Sequence, residues 1–271
     1  MNKLSNLQQR LIAALIGGTL IVSSILFNEW SFFVLFGALS ALCLIEFNGL
    51  FKKAGYAPNS GFGICIGLGN FILMFFYTQE QLDPKYFGLN LPALIILFIS
   101  ELYRNKSNPL INVGITLLGI FYVSLPFVLL NNLAFLSGNY SGHLVLGPLL
   151  MLWANDSGAY AFGKWLGKHK LFERISPNKT WQGFFGGALT AGAAGAILFT
   201  LYPQLELWKW ISLGGIVAVS ATYGDLFESL LKRSLNIKDS GSVIPGHGGF
   251  LDRFDGLLLI IPVILIYLEL I

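Results

Sequence analysis

The sequence has 271 residues, of which 55% are hydrophobic and only 11% are charged, and its mean hydropathy is +0.68. A soluble domain carries roughly a quarter charged residues, so this composition excludes a water-soluble globular protein. The formal net charge of +3 is small and gives no indication of nucleic-acid binding. The length suffices for about nine membrane-spanning helices, since each needs roughly 20 predominantly apolar residues.

Apolar runs separated by short polar segments follow one another along the whole chain. Because backbone groups in hydrocarbon must be hydrogen-bonded internally, these runs are predicted to be helices. The fold class is therefore an all-α polytopic membrane protein with about nine transmembrane helices. The run at 90–103 is short for a full crossing. The predicted spans are 11–27, 31–49, 61–78, 90–103, 109–131, 143–163, 183–202, 208–231 and 254–271.

The distribution of basic residues predicts the orientation. All but two of the 17 Lys and Arg residues fall in one set of alternate loops and termini, and the other set holds only Lys85 and Lys209. Cytoplasmic loops carry the excess of Lys and Arg, so the N-terminus is predicted to be cytoplasmic and the C-terminus outside. The first run has no small-residue cleavage site and is interpreted as a retained helix rather than a signal peptide.

The chain is interpreted as a single membrane-embedded domain, 1–271, in which about 1–140 is mainly a helical scaffold and about 143–271 carries the polar chemistry. Cys43 and Cys65 lie inside apolar runs and are expected to be buried small hydrophobic residues. Small residues at every fourth position of the seventh span predict close helix packing; they are Gly183, Gly187, Ala191 and Gly195.

Ionisable residues at membrane depth are costly and therefore functional candidates. Asp156 lies near the end of the sixth span, beside Asn155. The eighth span ends with Asp225, Glu228, Ser229 and Lys232 at spacings that place all four on one helical face, followed by Arg233. Glu46 and Glu101 also lie near the ends of their spans and are interpreted as surface residues.

A glycine-rich loop, with Gly246, Gly248 and Gly249 around His247, precedes the last span, and its backbone N–H groups could approach phosphate oxygens. Asp252 and Asp255 follow at i, i+3 on one face of the last helix. One carboxylate would suffice to favour the helix N-terminus. Two, together with Asp225 and Asp156, predict a Mg²⁺ site, since Mg²⁺ prefers a few carboxylates with phosphates and water.

The segment before the seventh span predicts a helix start with Ser176 as N-cap and Pro177 at the first helical position. A helix N-terminus with Lys179 and Thr180 is also a candidate anion site. Carboxylates, cations and a glycine-rich loop at one membrane face suit phosphoryl chemistry. The residues alone leave the substrate open.

The C-terminal motifs resemble the signature of the phosphatidate cytidylyltransferase (CDP-diacylglycerol synthase) family. They are Ser229-Leu-Leu-Lys-Arg, then Lys238-Asp, then Pro245-Gly-His-Gly-Gly-Phe-Leu-Asp-Arg-Phe-Asp255. The segments Asp156 to Tyr160 and Ser176-Pro-Asn-Lys-Thr also resemble that family. The motifs cover about the last 120 residues, and the first half agrees only in being helical and membranous.

The resemblance implies the reaction of CTP with phosphatidate to give CDP-diacylglycerol and pyrophosphate, with Mg²⁺, at the cytoplasmic face of a bacterial-type inner or plasma membrane. It also implies a homodimer and use of a monovalent cation such as K⁺, neither of which follows from the residues. By position, it implies metal-site roles for Asp225, Asp252 and Asp255, and less directly for Asp156 and Glu228. It implies catalytic or phosphate-binding roles for Lys232, Arg233, Ser176, Lys179, Thr180, Ser229, Lys238, His247, Gly248, Gly249 and Arg253.

Two alternatives stay open at this point. A CTP-using lipid-alcohol kinase would move the γ-phosphoryl group and place no cytidine on the lipid. A transporter or flippase would distribute polar residues across the membrane depth, whereas the chemistry-bearing residues of this sequence collect at one face.

Overall fold

The computed structural model describes residues 6–237, 241 and 248–271. Helices make up most of this part of the chain, with one short β-hairpin. A 3₁₀ turn spans Pro84–Leu89, and a π-helical turn spans Gly119–Ser124. The elements are α1 (Asn6–Phe27), α2 (Glu29–Lys53), α3 (Ser60–Thr78), α4 (Asn90–Arg104), α5 (Pro109–Leu118), α6 (Leu125–Ala134), α7 (Gly142–Leu166), β1 (Lys170–Phe172), β2 (Ser176–Thr180), α8 (Trp181–Leu201), α9 (Leu207–Ser234) and α10 (Leu251–Leu270).

Every residue of the predicted apolar runs lies in helical structure, except the last residue of the seventh and of the ninth run. Six helical stretches of the described chain are long and apolar enough to cross a membrane, and the apolar part of α1, Ile12–Phe27, is shorter. The short run at 90–103 gains the preceding 3₁₀ turn, so that Pro84–Arg104 reaches 21 residues. An all-α polytopic membrane protein is thereby confirmed, while the count of nine crossings stays a prediction.

The chain forms two compact units. The first comprises residues 1–141 and 234–253, and the second comprises residues 142–233 and 254–271. The core of the first unit is rich in phenylalanine. The ring centroids of Phe33 on α2 and Phe75 on α3 lie 4.4 Å apart. Phe32, Phe36, Phe47, Phe71, Phe75 and Phe127 are its largest buried aromatic side chains.

Two carboxylates of the first unit are buried, so their interpretation as surface residues is wrong. Glu101 is only 7% exposed, and its carboxylate accepts hydrogen bonds from Arg104, at 2.6 Å, and from Asn112, at 3.3 Å. Glu46 is only 9% exposed, and its carboxylate accepts a hydrogen bond from the first backbone N–H of α10. Internal hydrogen-bond donors therefore replace water for the Glu101 carboxylate and for Oε2 of Glu46.

The second unit confirms the predicted small-residue packing ridge. Gly183, Gly187, Ala191 and Gly195 are all buried on α8. A Cβ atom added at Gly187 would lie 2.5 Å from Oδ1 of Asn155 on α7, and one at Gly195 would lie 2.5 Å from the carbonyl oxygen of Trp210 on α9. Glycine at these positions lets neighbouring backbones approach closely.

The predicted helix start at Ser176 is wrong. Residues Ser176–Thr180 form strand β2, which pairs antiparallel with β1, and the helix begins at Trp181. Ser176 precedes a proline, and such a residue is biased towards extended backbone. Thr180 is the N-cap instead, since its hydroxyl accepts a hydrogen bond from Gly183 N at 3.1 Å.

The two cysteines differ in environment. Cys43 is fully buried on α2, as expected, whereas Cys65 is exposed on α3. The expectation of burial for Cys65 is wrong because a membrane helix can present apolar residues outward to lipid as readily as inward to the protein.

Candidate active site

Three carboxylates of the second unit converge. Asp225 and Glu228 lie one turn apart on α9, and Asp255 lies near the start of α10. Each offers one oxygen, and the three oxygens lie within 4.8 Å of one another. Glu228 is 1% exposed, whereas the side chain of Asp225 is 41% exposed. The cluster therefore has a buried end and an accessible end.

Two glycines bring the helices close enough for this convergence. A Cβ atom at Gly224 would lie 2.7 Å from the carbonyl oxygen of Asp255 and 3.1 Å from Cα of Gly256. A side chain at position 224 would therefore separate the backbones of α9 and α10. Because Gly224 directly precedes Asp225 and Gly256 directly follows Asp255, this close contact of the two backbones lies beside the carboxylates.

The β-hairpin supplies a cation to the cluster. Lys179, on β2, forms a salt bridge with Oδ2 of Asp225, and its ammonium group also donates to the carbonyl oxygen of Thr222 at 3.3 Å. The hairpin is tied to the start of α8 through Gln182, whose side-chain oxygen accepts from the backbone N–H of Lys168 at 3.0 Å. Lys179 is thus held by a local structure that the sequence did not predict.

The polar face predicted for α9 is present. Ser229 donates to Oδ1 of Asp225 at 3.5 Å, and Lys232 donates to Oε2 of Glu228 at 2.7 Å. The side chain of Lys232 is 14% exposed, so its pairing with Glu228 is largely shielded from water. Arg233 is exposed at the C-terminal end of the helix.

Other predicted residues of the second unit lie outside the group of three carboxylates. Asp156 is exposed on α7 and accepts a hydrogen bond from the buried Asn155 side chain at 3.4 Å. Ser176 lies at the start of β2, opposite Phe172 in the hairpin. Thr180 is buried in its capping role.

The start of α10 belongs to the first unit, and the residues around it form a local hydrogen bond. Oδ2 of Asp252 accepts a hydrogen bond from Gly249 N at 2.9 Å. Gly248 has a φ of +83°, in the left-handed region that favours glycine, and a Cβ atom there would lie 2.7 Å from Oδ2 of Asp252. Arg253 is exposed. The predicted residues Lys238 and His247 lie outside the described part of the chain.

Sequence reasoning missed the roles of Gly224 and Gly256. The available signal was their position, since a Gly-Asp pair ends the eighth span and an Asp-Gly pair begins the ninth. It also missed Gln182 and Thr222, which position the hairpin and Lys179. For these two residues no sequence signal stands out, because a side-chain contact to a backbone group depends on the tertiary structure.

The cluster has the composition of a site for a divalent cation and phosphates. The three carboxylates lie beside two ammonium groups, those of Lys179 and Lys232. Carboxylate oxygens are the ligands that Mg²⁺ takes in phosphoryl-transfer sites, together with substrate phosphates and water. The donor set therefore fits a Mg²⁺ ion.

The fold and the site define a polytopic membrane protein with an acidic cluster that could hold a metal ion. The model of the cytidylyltransferase family matches residues 8–271, and the chain belongs to that family. It is similar to the proteins named phosphatidate cytidylyltransferase from Staphylococcus haemolyticus (strain JCSC1435) and Staphylococcus aureus (strain COL), with 36% identity over 178 residues in each case. Both alignments cover 65% of this chain and 66% of the relative, so the match spans just under two thirds of the relatives' length.

A third relative extends the match slightly. The protein of the same name from Staphylococcus epidermidis (strain ATCC 35984) is 36% identical over 188 residues, covering 67% of this chain and 68% of the relative.

Proposed function

We propose that the protein transfers the cytidylyl group of CTP to phosphatidate, giving CDP-diacylglycerol for phospholipid biosynthesis and releasing pyrophosphate. The observation that carries this proposal is the match of the cytidylyltransferase family over residues 8–271, together with relatives named for that activity. The convergence of three carboxylates with two lysines supports it from the side of the chemistry. The protein is thus a membrane-bound nucleotidyltransferase.

Asp225, Glu228 and Asp255 would hold Mg²⁺, and Asp156 and Asp252 remain candidates for its further ligands. A bound Mg²⁺ would neutralise charge on the CTP phosphates and favour attack at the α-phosphorus. A second, monovalent cation such as K⁺ belongs to the proposal through the family resemblance alone.

The reaction needs alignment more than it needs a strong base. The second pKa of a phosphate monoester is about 6, so phosphatidate is largely dianionic near neutral pH. One of its oxygens forms a bond to the α-phosphorus of CTP, the bond to pyrophosphate breaks, and the electron pair leaves with pyrophosphate. Lys179 and Lys232 would bind the phosphates of the two substrates, and their salt bridges with Asp225 and Glu228 support this role.

Further phosphate contacts are proposed from the sequence. Exposed Arg233 and Arg253 carry cations that could bind phosphate in a bidentate manner. The remaining members of the proposed phosphate-binding set are Ser176, Thr180, Ser229, Lys238, His247, Gly248 and Gly249.

We also propose that the site faces the cytoplasm, with nine crossings and a cytoplasmic N-terminus. The support is the asymmetric distribution of Lys and Arg among alternate loops. Cytoplasmic orientation would give the site direct access to CTP, while phosphatidate enters from the membrane. A homodimer is part of the proposal through the family resemblance.

The test is an assay of the purified protein in detergent with phosphatidate, Mg²⁺ and CTP labelled in the cytosine ring. Label in the extracted lipid, with one pyrophosphate released per turnover and no transfer without Mg²⁺, is the expected result. An unlabelled lipid phase from a folded protein would contradict the proposal. Lipid-alcohol acceptors with γ-labelled CTP would then test the kinase alternative.

A further inference from the structure

We infer that Glu46 is a positioning residue for the start of α10 and for Gly241 and Gly249 before it, and that it acts through their backbone. This inference rests on the proposed function, because Gly249 and Arg253, on either side of the first residue of α10, belong to the proposed phosphate-binding set. Glu46 belongs to α2, more than 200 positions before α10 in the sequence, and none of the chemical motifs includes it.

Glu46 caps α10 from a distance. Its Oε2 atom accepts a hydrogen bond from Leu251 N, the first residue of the helix, at 2.9 Å. The first four N–H groups of a helix have no partner within the helix, and Phe250, directly before α10, has no side-chain acceptor to offer. A carboxylate at this end also interacts favourably with the helix dipole. Glu46 thus fixes where α10 begins.

The second carboxylate oxygen, Oε1, lies beside Gly241. A Cβ atom at Gly241 would lie 2.8 Å from Oε1 of Glu46 and 3.3 Å from Cα of Gly249. Gly241 and Gly249 therefore meet over the Glu46 carboxylate. A side chain at position 241 would displace the Glu46 carboxylate, whose oxygen occupies the space that the side chain would need.

The energetics argue against a merely space-filling role. Glu46 is 91% buried, and among the described residues Oε1 has no hydrogen-bond partner. Burial of a carboxylate oxygen without a partner is costly. A hydrophobic side chain would avoid that cost but could not accept from Leu251 N. The buried Glu46 carboxylate therefore lowers the stability of the fold, but it provides the acceptor for Leu251 N at the start of α10. Asp252 and Arg253 directly follow that residue.

The experiment compares Glu46→Ala and Glu46→Gln with wild type in the cytidylyl-transfer assay, after purified variants are matched for folded protein by size-exclusion chromatography. Glu46→Ala removes the acceptor, so kcat/KM for CTP should fall by about tenfold or more. Glu46→Gln keeps an acceptor for Leu251 N and should retain activity to within about threefold. Rescue by glutamine would not be expected of a residue required only for its charge.

Glu101→Ala is the matched control, because Glu101 is the other buried, hydrogen-bonded carboxylate of the first unit. Glu101→Ala should lower the melting temperature. Its kcat/KM for CTP, measured on the same amount of folded protein, should equal that of wild type. Equal losses of activity in Glu46→Ala and Glu101→Ala would overturn the inference, as would activity within twofold of wild type in Glu46→Ala.

A second measurement separates this inference from the proposed function. Hydrogen–deuterium exchange in the peptide covering residues 249–255 should be faster in Glu46→Ala than in wild type and unchanged in Glu101→Ala. If wild type transfers no cytidine, the proposed function fails, yet faster exchange would still support the anchoring role. Unchanged exchange in Glu46→Ala would overturn it.

Gly241→Ala provides a coupling test. The added methyl group should disturb the Glu46 carboxylate and lower activity on its own. In the double variant, Glu46→Ala has removed the carboxylate and the Gly241→Ala methyl group has room. The double variant should therefore lose little more activity than Glu46→Ala alone. Fully additive losses would contradict a direct contact between the two positions.

Discussion

The substitution Gly224→Ala is expected to lower cytidylyl transfer strongly while leaving an inserted, folded protein. Its added Cβ atom would lie 2.7 Å from the carbonyl oxygen of Asp255, whereas ordinary van der Waals contact begins at 3.4 Å. The backbones of α9 and α10 must therefore separate by about 0.7 Å at this point, the difference between those two distances. The obstacle is backbone, which cannot move aside as a flexible side chain can.

The separation acts directly on the proposed metal site, since Asp225 and Asp255 lie on opposite sides of the contact. Overpacking of this kind costs about 1–3 kcal/mol of stability. A misplacement of about 1 Å at a reacting centre can cost about 100-fold in rate. We therefore expect kcat to fall by about 10- to 100-fold, and the Mg²⁺ concentration that gives half-maximal activity to rise.

The assay is steady-state cytidylyl transfer at several Mg²⁺ concentrations, with Gly215→Ala as the control on the same helix. A Cβ atom at Gly215 would meet nothing within 4 Å, and alanine is favoured over glycine in a helix by about 1 kcal/mol. The control should therefore keep its activity and be no less stable than wild type. Wild-type kcat and Mg²⁺ dependence in Gly224→Ala would refute the account of how the carboxylates are brought together.

Four other outcomes are expected. Asp225→Asn and Asp255→Asn should each lose most activity and also the rise in melting temperature that Mg²⁺ gives wild type, as seen in a thermal-shift titration; a full Mg²⁺ response in either would remove that residue from the site. Lys179→Gln should lower kcat/KM by about tenfold through the loss of its cation, measured with CTP as the varied substrate, and unchanged kinetics would exclude a phosphate role. Thr180→Ala should lower the free energy of unfolding by about 1 kcal/mol, because it removes the N-cap of α8. Ser176→Ala should leave it unchanged. A lower melting temperature for Ser176→Ala than for Thr180→Ala would favour a helix start at Ser176. A reporter fused to the C-terminus should be active only outside the cytoplasm, and a cytoplasmic signal would mean an even number of crossings.

The helices could be predicted from the sequence because hydrocarbon leaves the backbone few alternatives. A run of apolar residues in a membrane must satisfy its N–H and C=O groups internally, so length and hydropathy determine most of the secondary structure. The hairpin could not be found in this way, since it lies outside the apolar runs. Ser176-Pro177 is compatible with a helix start and with extended backbone, and only pairing with Lys170–Phe172 selects the strand.

The candidate site was predictable in part for a different reason. Asp225, Glu228 and Lys232 lie on one helix, so their spacing alone places them on one face. The proximity of Asp255 depends on how closely two helices approach, which spacing within one helix does not report. Lys179 was recognised as a cation near a helix start, but its pairing with Asp225 depends on a hairpin that the sequence analysis missed.

Glu46 illustrates the limit of hydropathy-based interpretation. A lone carboxylate near the end of an apolar helix has the same sequence pattern whether it meets headgroups and water or the N-terminus of another helix. Here the partner is Leu251 N, which lies outside every polar motif because it is a backbone group of an apolar residue. Burial of the carboxylate becomes tolerable because α10 brings an unsatisfied N–H group to it. On our inference, the same contact holds the helix start that carries Asp252 and Arg253, so that a helix of the first half positions two residues of the proposed set.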